Sequence, residues 1–484
     1  MMNAEVFKYL LIFLFIGVTY WLSLKGMKKT SDLKSFSIGK GDMSPYMVGL
    51  TLSASISSTA TFVINPGFVF THGLSAFLHY AVAASLGVAI AFISLTKKFR
   101  FLGEKQGALT IPHWISTRYK SKELGLLFAV MNLLSITFVV LIMVGCSLLV
   151  AGLFPVSQKM ALIMVMLFVF SYVLMGGSYA HAYTNTLQGV VMLGISVFLF
   201  VYGYSQMERG FVNNLELISP NYASVFNVES SLYYDFFSVF LSSFIVTFAL
   251  MLQPHILTKV LFLKDDKQVN KFLATTLGTG AIFSLMLFIG FFARFDGLEV
   301  ARQDMVVVTY ITETFKSTVW GQYFTSLVSI GLLAAGLSTL DGILVSLSSM
   351  VVNDIYDPWM SRKVKLNSLN LSRVVLVIIG LISLFFAWNP PKLVGLFAQK
   401  GVYGLAAASI VPITFGVFFK NRLSPFQVGF CSIGALFLHL YLNLFGGVLN
   451  PSVSATYGIL FSFIAGIIFK LLSKNSENTK IVLT

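Results

Sequence analysis

Residues 50–67 read LTLSASISSTATFVINPG, and seven of the first twelve are Ser or Thr inside an otherwise apolar run. One or two hydroxyls in such a run let helices pack closely and bond back to carbonyls of the preceding turn. Seven need another reason, because Thr51, Ser53, Ser55, Ser57, Ser58, Thr59 and Thr61 run right round a helix. Hydroxyl and β-branched side chains weaken a helix locally, and Asn65-Pro66-Gly67 breaks its far end. At membrane depth a broken helix is tolerated where the freed carbonyls line a cavity or bind something. The chemistry open to this segment is coordination of a small cation and a solute near the midplane.

A second hydroxyl-rich run, SIGLLAAGLSTLDGILVSLSSMVVNDIY at residues 329–356, offers the partner. Ala335 precedes Ser338 and Thr339 by three and four residues, so all three approach one side of a helix. Neutral carbonyl and hydroxyl oxygens suit a small, hard monovalent cation, whereas thiolates or imidazoles would suit a transition metal. The six histidines, His72, His79, His113, His181, His255 and His439, are scattered, and most read as interfacial or locally satisfied. No Ser-His-Asp order, His/Cys cluster or phosphate-cradling glycine loop stands out, which argues against an enzyme. Asp341, three residues after Ser338, is an ionisable group at a depth where charge is expensive and functional by default. The plainer reading is that it pairs with a basic side chain or accepts backbone hydrogen bonds.

The elements that must position these residues follow from composition. Of 484 residues, 56% are hydrophobic and 11% charged, with a mean hydropathy of +0.84; soluble domains carry about a quarter charged residues. An all-α integral membrane protein is expected. Runs able to cross roughly 30 Å of hydrocarbon occur about 13 times, near 5–24, 45–70, 73–96, 123–153, 158–175, 181–205, 235–258, 271–293, 320–351, 372–388, 393–418, 424–446 and 455–473. The net charge of +14 is spread over the short gaps and not gathered into a nucleic-acid face. With the N-terminus outside, alternation puts 25 of the 33 Lys and Arg in inner gaps, as the positive-inside rule requires. The C-terminus then lies in the cytoplasm. The first run ends at KGMKK and lacks a small-residue cleavage site, so it reads as a permanent span. Cys146 and Cys431 lie inside apolar runs, where no structural disulfide is expected.

Several motifs together resemble the sodium/solute symporter family over nearly the whole chain. They are SFSIGKGDMSP before the second span, the hydroxyl-rich span ending in PG, and ALTIPHWISTRYKSK after the third. YTNTLQGVVML in the sixth, QPHILTKVLFLKDDK closing the seventh, and AAGLSTLDG with NDIY in the ninth complete them. Members of that family carry proline, pantothenate, sugars, sialic acid and small carboxylates. The resemblance implies an inverted-repeat (5+5) transporter core with broken helices. Residues 1–44 would hold the first span and a basic inner loop, 45–205 the first five-helix repeat, and 206–234 an outer loop. Residues 235–422 would form the second repeat, and 423–484 two accessory spans and a cytoplasmic tail. It implies one Na⁺ held by the carbonyls of Ala54 and Ser57 (placed by counting back from Phe62), the Ala335 carbonyl, and the Ser338 and Thr339 hydroxyls. Substrate is implied beside this ion, against Ser58, Thr59 and Thr61 and near Gln253 and His255. His255 reads equally well as a polar cap where Pro254 disrupts its helix.

One departure carries information. Many relatives have an acidic residue where this chain has Asn185, and those with a second sodium site have hydroxyls where it has Asp341 and Gly342. A relocated charge is the natural reading, with Asp341, Asn185 and Ser338 forming a second cation site or a proton-linked exit step. The function expected is sodium-coupled symport that imports a small organic solute by alternating access. Pantothenate, a monocarboxylate or an amino acid such as proline would be carried. Partners are the solute, Na⁺ and the lipid bilayer of a plasma membrane, for a bacterium the inner one; no organic cofactor, nucleic acid or obligatory protein partner is expected. The alternatives are a proton-coupled transporter of the same fold and a transporter-like sensor, the latter disfavoured by a short tail after Leu472 with no signalling domain.

Overall fold

The computed structural model describes residues 3–316, 320–360, 366–419 and 423–482, with side chains described as far as Ser473. The basic runs at 361–365 and 420–422, used above to orient the chain, lie outside the described residues. In chain order the long apolar helices are α1 (Ala4–Met27), α2 (Pro45–His72), α3 (Leu74–Gln106), α4 (Lys122–Leu153), α5 (Gln158–Ser205), α6 (Phe237–Leu250), α7 (Pro254–Phe262), α8 (Asp266–Phe295), α9 (Gly321–Trp359), α10 (Ser368–Ala387), α11 (Val394–Phe418), α12 (Pro425–Leu444) and α13 (Pro451–Ser473). Among the described residues eleven of these are long and apolar enough to cross a membrane alone, and α6 with α7, bent by 66°, makes a twelfth if the pair is one broken span. The sequence suggests thirteen spans, and the difference lies in α5. Its 48 residues would measure about 72 Å if straight, more than twice the hydrocarbon thickness. Helical geometry is interrupted at Gly177, with φ +50° and ψ −131°, so a count of thirteen requires dividing α5 there. A Cβ at Gly177 would lie 2.6 Å from the Phe36 carbonyl oxygen, which leaves glycine as the residue that fits.

Burial sorts the helices into layers. The apolar window of α9 is 94% buried and that of α1 only 11%. Large apolar side chains such as Phe13 on α1, Phe385 on α10 and Phe437 on α12 are exposed, as a lipid-facing surface requires. At the centre α2 packs on α5, α8 and α9, and α9 also packs on α4 and α10. The two hydroxyl-rich runs thus face each other in the middle of the fold.

Two breaks interrupt this centre. In α2, Ser58 leaves helical geometry (φ 13°, ψ −174°), residues Ala60–Ile64 form a wider π turn, and a new helix starts at Asn65 with Pro66 in its first turn. Between α6 and α7 the chain bends after Leu250, and Pro254 opens α7, where its missing N–H has no helical partner to lose. Where α2 begins, a parallel bridge joins Met43 to Leu263. Beside it Arg100 of α3 donates to the carbonyls of Leu263 (3.2 Å) and Lys264 (2.8 Å) and to Asp266. At the other end of α2, the loop after α5 covers the helix: Tyr222 donates to the Val69 carbonyl and Asn227 to the His72 carbonyl, each at 3.1 Å.

Candidate functional site

The break in α2 redirects the carbonyls one turn earlier. In a continuous helix they would accept from N–H groups four residues on; here they meet hydroxyls of α9. Ser338 Oγ lies 3.2 Å from the Ala54 carbonyl oxygen and 2.8 Å from that of Ala335. Thr339 Oγ1 donates to the Ser55 carbonyl at 2.8 Å. In return Ser55 Oγ donates to the Ser338 carbonyl at 2.9 Å. The Ser58 hydroxyl accepts from Ala60 N–H at 3.0 Å, so the break is stitched by its own side chain. Close approach at this level depends on Gly336, where a Cβ would fall 2.2 Å from Cys146 Sγ and 2.6 Å from Thr59 Oγ1.

Of the five residues expected to hold sodium, Ala54, Ala335 and Ser338 therefore share one point of contact, with Thr339 beside them. Ser57 lines the neighbouring cavity. Ser55, absent from the expected set, contributes both its carbonyl and its hydroxyl. The donor set is neutral oxygen throughout, and among the described residues no group of His, Cys, Asp or Glu has the geometry of a metal site. Asn185 Oδ1, buried beside these oxygens, lacks a protein partner. Buried acceptors are costly to leave unpaired, and their chemistry fits a small hard cation.

Asn185 and Asp341 have different hydrogen-bond partners. Asn185 Nδ2 donates to the Ser338 carbonyl at 2.5 Å and to Ser55 Oγ at 3.2 Å. Asp341, fully buried, accepts from His181 Nδ1 at 2.8 Å, Gly342 N–H at 2.7 Å and Tyr172 OH at 3.2 Å. Two of these partners, Tyr172 and His181, lie on either side of the Gly177 interruption in α5. Of the scattered histidines, His181 thus enters the site region through a partner 160 residues away in sequence, a pairing no local spacing signals.

A cavity of about 590 Å³ adjoins the α2 break and extends toward Asn65 and Tyr80. Thr61, Gln253 and His255, three of the five residues expected near substrate, line it. Ser58 and Thr59 point elsewhere, the first to its own backbone and the second toward Gly336 and Gly145. The sequence reading missed Tyr80, Gln399 and Tyr403, which line the far half of the cavity; Gln399 donates to Tyr80 OH at 3.2 Å. A crevice of about 20 Å³ is lined by Thr110, His181, His255 and Lys259 among others. Of these, Thr110 donates through Oγ1 to Asp354 Oδ2 at 2.5 Å. Lys259, buried to 2% exposure, places its Nζ against Ser55 Oγ and 3.5 Å from the Thr51 carbonyl.

Comparison with known proteins places this geometry. A family profile described as Sodium:solute symporter family matches residues 36–424. The sodium/pantothenate symporter of Haemophilus influenzae is 26% identical, with 94% of each chain covered. That of Escherichia coli K12 is 25% identical over 93% of this chain and 94% of its own. A sodium/proline symporter of Staphylococcus aureus is 22% identical over 95% and 89%. Among solved structures, a Na⁺-coupled sialic acid symporter in a substrate-bound outward-open state superposes with a TM-score of 0.77 at 17% identity, covering 96% and 97% of the two chains. MhsT in complex with L-phenylalanine gives 0.61 at 13% identity, over 88% and 99%.

Proposed function

This chain belongs to the sodium:solute symporter family, and from that premise we propose that it imports a small carboxylate of the pantothenate kind, driven by one Na⁺ bound between α2 and α9. Sodium-coupled symport across a membrane is the family's activity; the ligand set and the solute are our reading. The ion would take the carbonyl oxygens of Ala54, Ser57 and Ala335 and the hydroxyl oxygens of Ser338 and Thr339. The single observation that carries this is the crossing at the break, with Ser338 Oγ on the Ala54 carbonyl and Thr339 Oγ1 on the Ser55 carbonyl. Hydroxyls that now donate to those carbonyls need only rotate to offer a lone pair to an ion among the same oxygens.

Binding would tie a broken helix to a long straight one. Sodium therefore has higher affinity for the arrangement in which α2 and α9 meet, and that difference is the coupling. At −100 mV one inward-moving charge supplies about 2.3 kcal/mol. The solute would occupy the 590 Å³ cavity against Thr61, Gln253 and the outer Tyr80–Gln399–Tyr403 group. Its lining is mostly apolar with neutral polar groups, which suits a small flexible solute held by hydrogen bonds. The likeness to two sodium/pantothenate symporters, stronger than that to the proline symporters, favours pantothenate first. On our reading of the lysine and arginine distribution the N-terminus lies outside, and the cavity would then face out and the Met43 end the cytoplasm.

The test is uptake by proteoliposomes of labelled pantothenate and proline, in sodium and in choline at one pH. Pantothenate uptake that needs sodium supports the reading. Sodium-driven uptake of proline alone would reassign the solute, and equal uptake in choline would reject sodium coupling.

A further inference from the structure

Lys259 is a buried amine at a place where the chain otherwise presents neutral oxygens. It sits on α7, and the 66° bend before Pro254 carries it into the core. An ammonium has three donors and no acceptor, and burying one is costly without compensation. Lys259 satisfies its donors on α2, at Ser55 Oγ and near the Thr51 carbonyl. Among the described residues it forms no ion pair. The buried carboxylate of Asp341 on α9 is engaged by His181, Tyr172 and Gly342. His181 and His255 line the same crevice.

Ser55 joins this cation to the sodium oxygens. Its hydroxyl meets Lys259 Nζ, Asn185 Nδ2 and the Ser338 carbonyl, while its own carbonyl accepts from Thr339. Lys259 therefore stands two hydrogen bonds from Ser338 and one residue from Ala54. Two cations this close repel through a medium of low dielectric constant, and both draw on oxygens of the same turn of α2. Sodium diffuses away; the ammonium is attached to α7.

We propose that Lys259 is a tethered cation that competes with transported sodium for the oxygens of the α2 break and takes their charge load when sodium leaves. This rests on the sodium site proposed above and assigns Lys259 a positioning role in the return of the empty carrier. With sodium bound, the ammonium is pushed from Ser55 toward Asp341. With sodium gone, it holds α2 to α7 and lets the empty protein reorient without an unbalanced cluster of carbonyl oxygens.

The experiment uses the full-length protein purified in nanodiscs and reconstituted in proteoliposomes. Equilibrium ²²Na⁺ binding is measured for wild type, Lys259→Gln, Lys259→Met and Lys259→Arg. The neutral variants should bind sodium roughly tenfold more tightly, the order set by removing a like charge within about a nanometre. Lys259→Arg, which keeps the charge, should stay within about twofold of wild type. Net uptake should fall at least about tenfold in the neutral variants, while sodium-dependent solute exchange, which needs no empty return, persists. Lys259→Met guards against a folding failure of Lys259→Gln, since its side chain replaces the apolar stem. Neutral variants that bind sodium no more tightly than wild type, or that lose exchange along with net uptake, overturn the proposal and leave the sodium site standing. A wild-type protein with no saturable sodium binding overturns both.

Discussion

Asp341 is held by three donors in a fully buried position, and His181, one of them, lines the same crevice as Lys259. Replacing Asp341 with Asn keeps the shape and removes the carboxylate. We expect Asp341→Asn to weaken sodium binding by about tenfold, because an uncompensated cation near the site is worth that much at an effective dielectric constant of about 20. Sodium titration of solute uptake measures it, and unchanged sodium affinity, stoichiometry and pH dependence would refute a role for Asp341. Gln253 makes the opposite case: it lines the cavity and donates to the Val402 carbonyl at 3.2 Å, away from the sodium oxygens. Gln253→Ala should raise the KM for solute by about tenfold, the loss of a buried hydrogen bond of 1–2 kcal/mol, with sodium binding unchanged. A direct binding assay for each ligand separates these effects. At this scale the hydroxyls of Ser338 and Thr339 were legible, because helical spacing alone puts them on one side with Ala335. Lys259 was not. A linear reading ends its span at residue 258 and assigns the lysine to a basic gap, whereas the bend before Pro254 turns it inward. The pairing of His181 with Asp341 was hidden for a similar reason, since it joins residues 160 positions apart.

The helices themselves set how near the two halves of the site come. Gly336 lets α9 approach the α2 break, and any side chain there meets Cys146 and Thr59. Gly336→Val should therefore separate α2 from α9, costing about 1–3 kcal/mol in overpacking and weakening sodium binding more than solute binding. Thermal unfolding with and without sodium reads both, because a ligand selective for the folded state raises its stability; a variant with an undiminished sodium-dependent shift in Tm would contradict the contact. The break in α2 was visible in the sequence as a density of hydroxyls ahead of Asn65-Pro66-Gly67. Its position at Ser58 and the π turn that follows were not, since seven hydroxyl side chains spread over residues 51–61 leave several equivalent places to yield. Gly177 shows the limit from the other side. Hydropathy separates two runs there, but the charge-free residues 176–180 give no sign that backbone geometry, and not a loop, divides them.

Across the whole molecule, a 590 Å³ cavity adjoins the α2 break and a 20 Å³ crevice lies beside Thr110 and Lys259. Thr110 donates to Asp354, linking the segment after α3 to the end of α9. Thr110→Val removes the donor and leaves the Asp354 carboxylate with one partner fewer, so the closed arrangement loses about 1–3 kcal/mol and the equilibrium moves toward opening at this crevice. A cysteine placed at Val345, which lines the crevice, should then react several-fold faster with a membrane-impermeant thiol reagent from that side; an unchanged rate would show that the tie does not hold the gate. The all-helical, multi-span fold was legible because long apolar runs dominate the chain, and the family resemblance pointed to the same transporter fold. What no linear reading contains is the depth at which bent helices return their ends to the core.

Equilibrium binding of ²²Na⁺ to the purified wild-type protein and to the Ser338→Ala, Thr339→Ala double variant tests the central claim most directly. The wild type should bind one ion saturably, and the double variant, still folded and monodisperse, should bind at least about a hundredfold more weakly, as two ion-facing oxygens at 1.5–3 kcal/mol each imply. Wild-type affinity in the double variant would contradict the account, for the ion would then lie somewhere other than between α2 and α9.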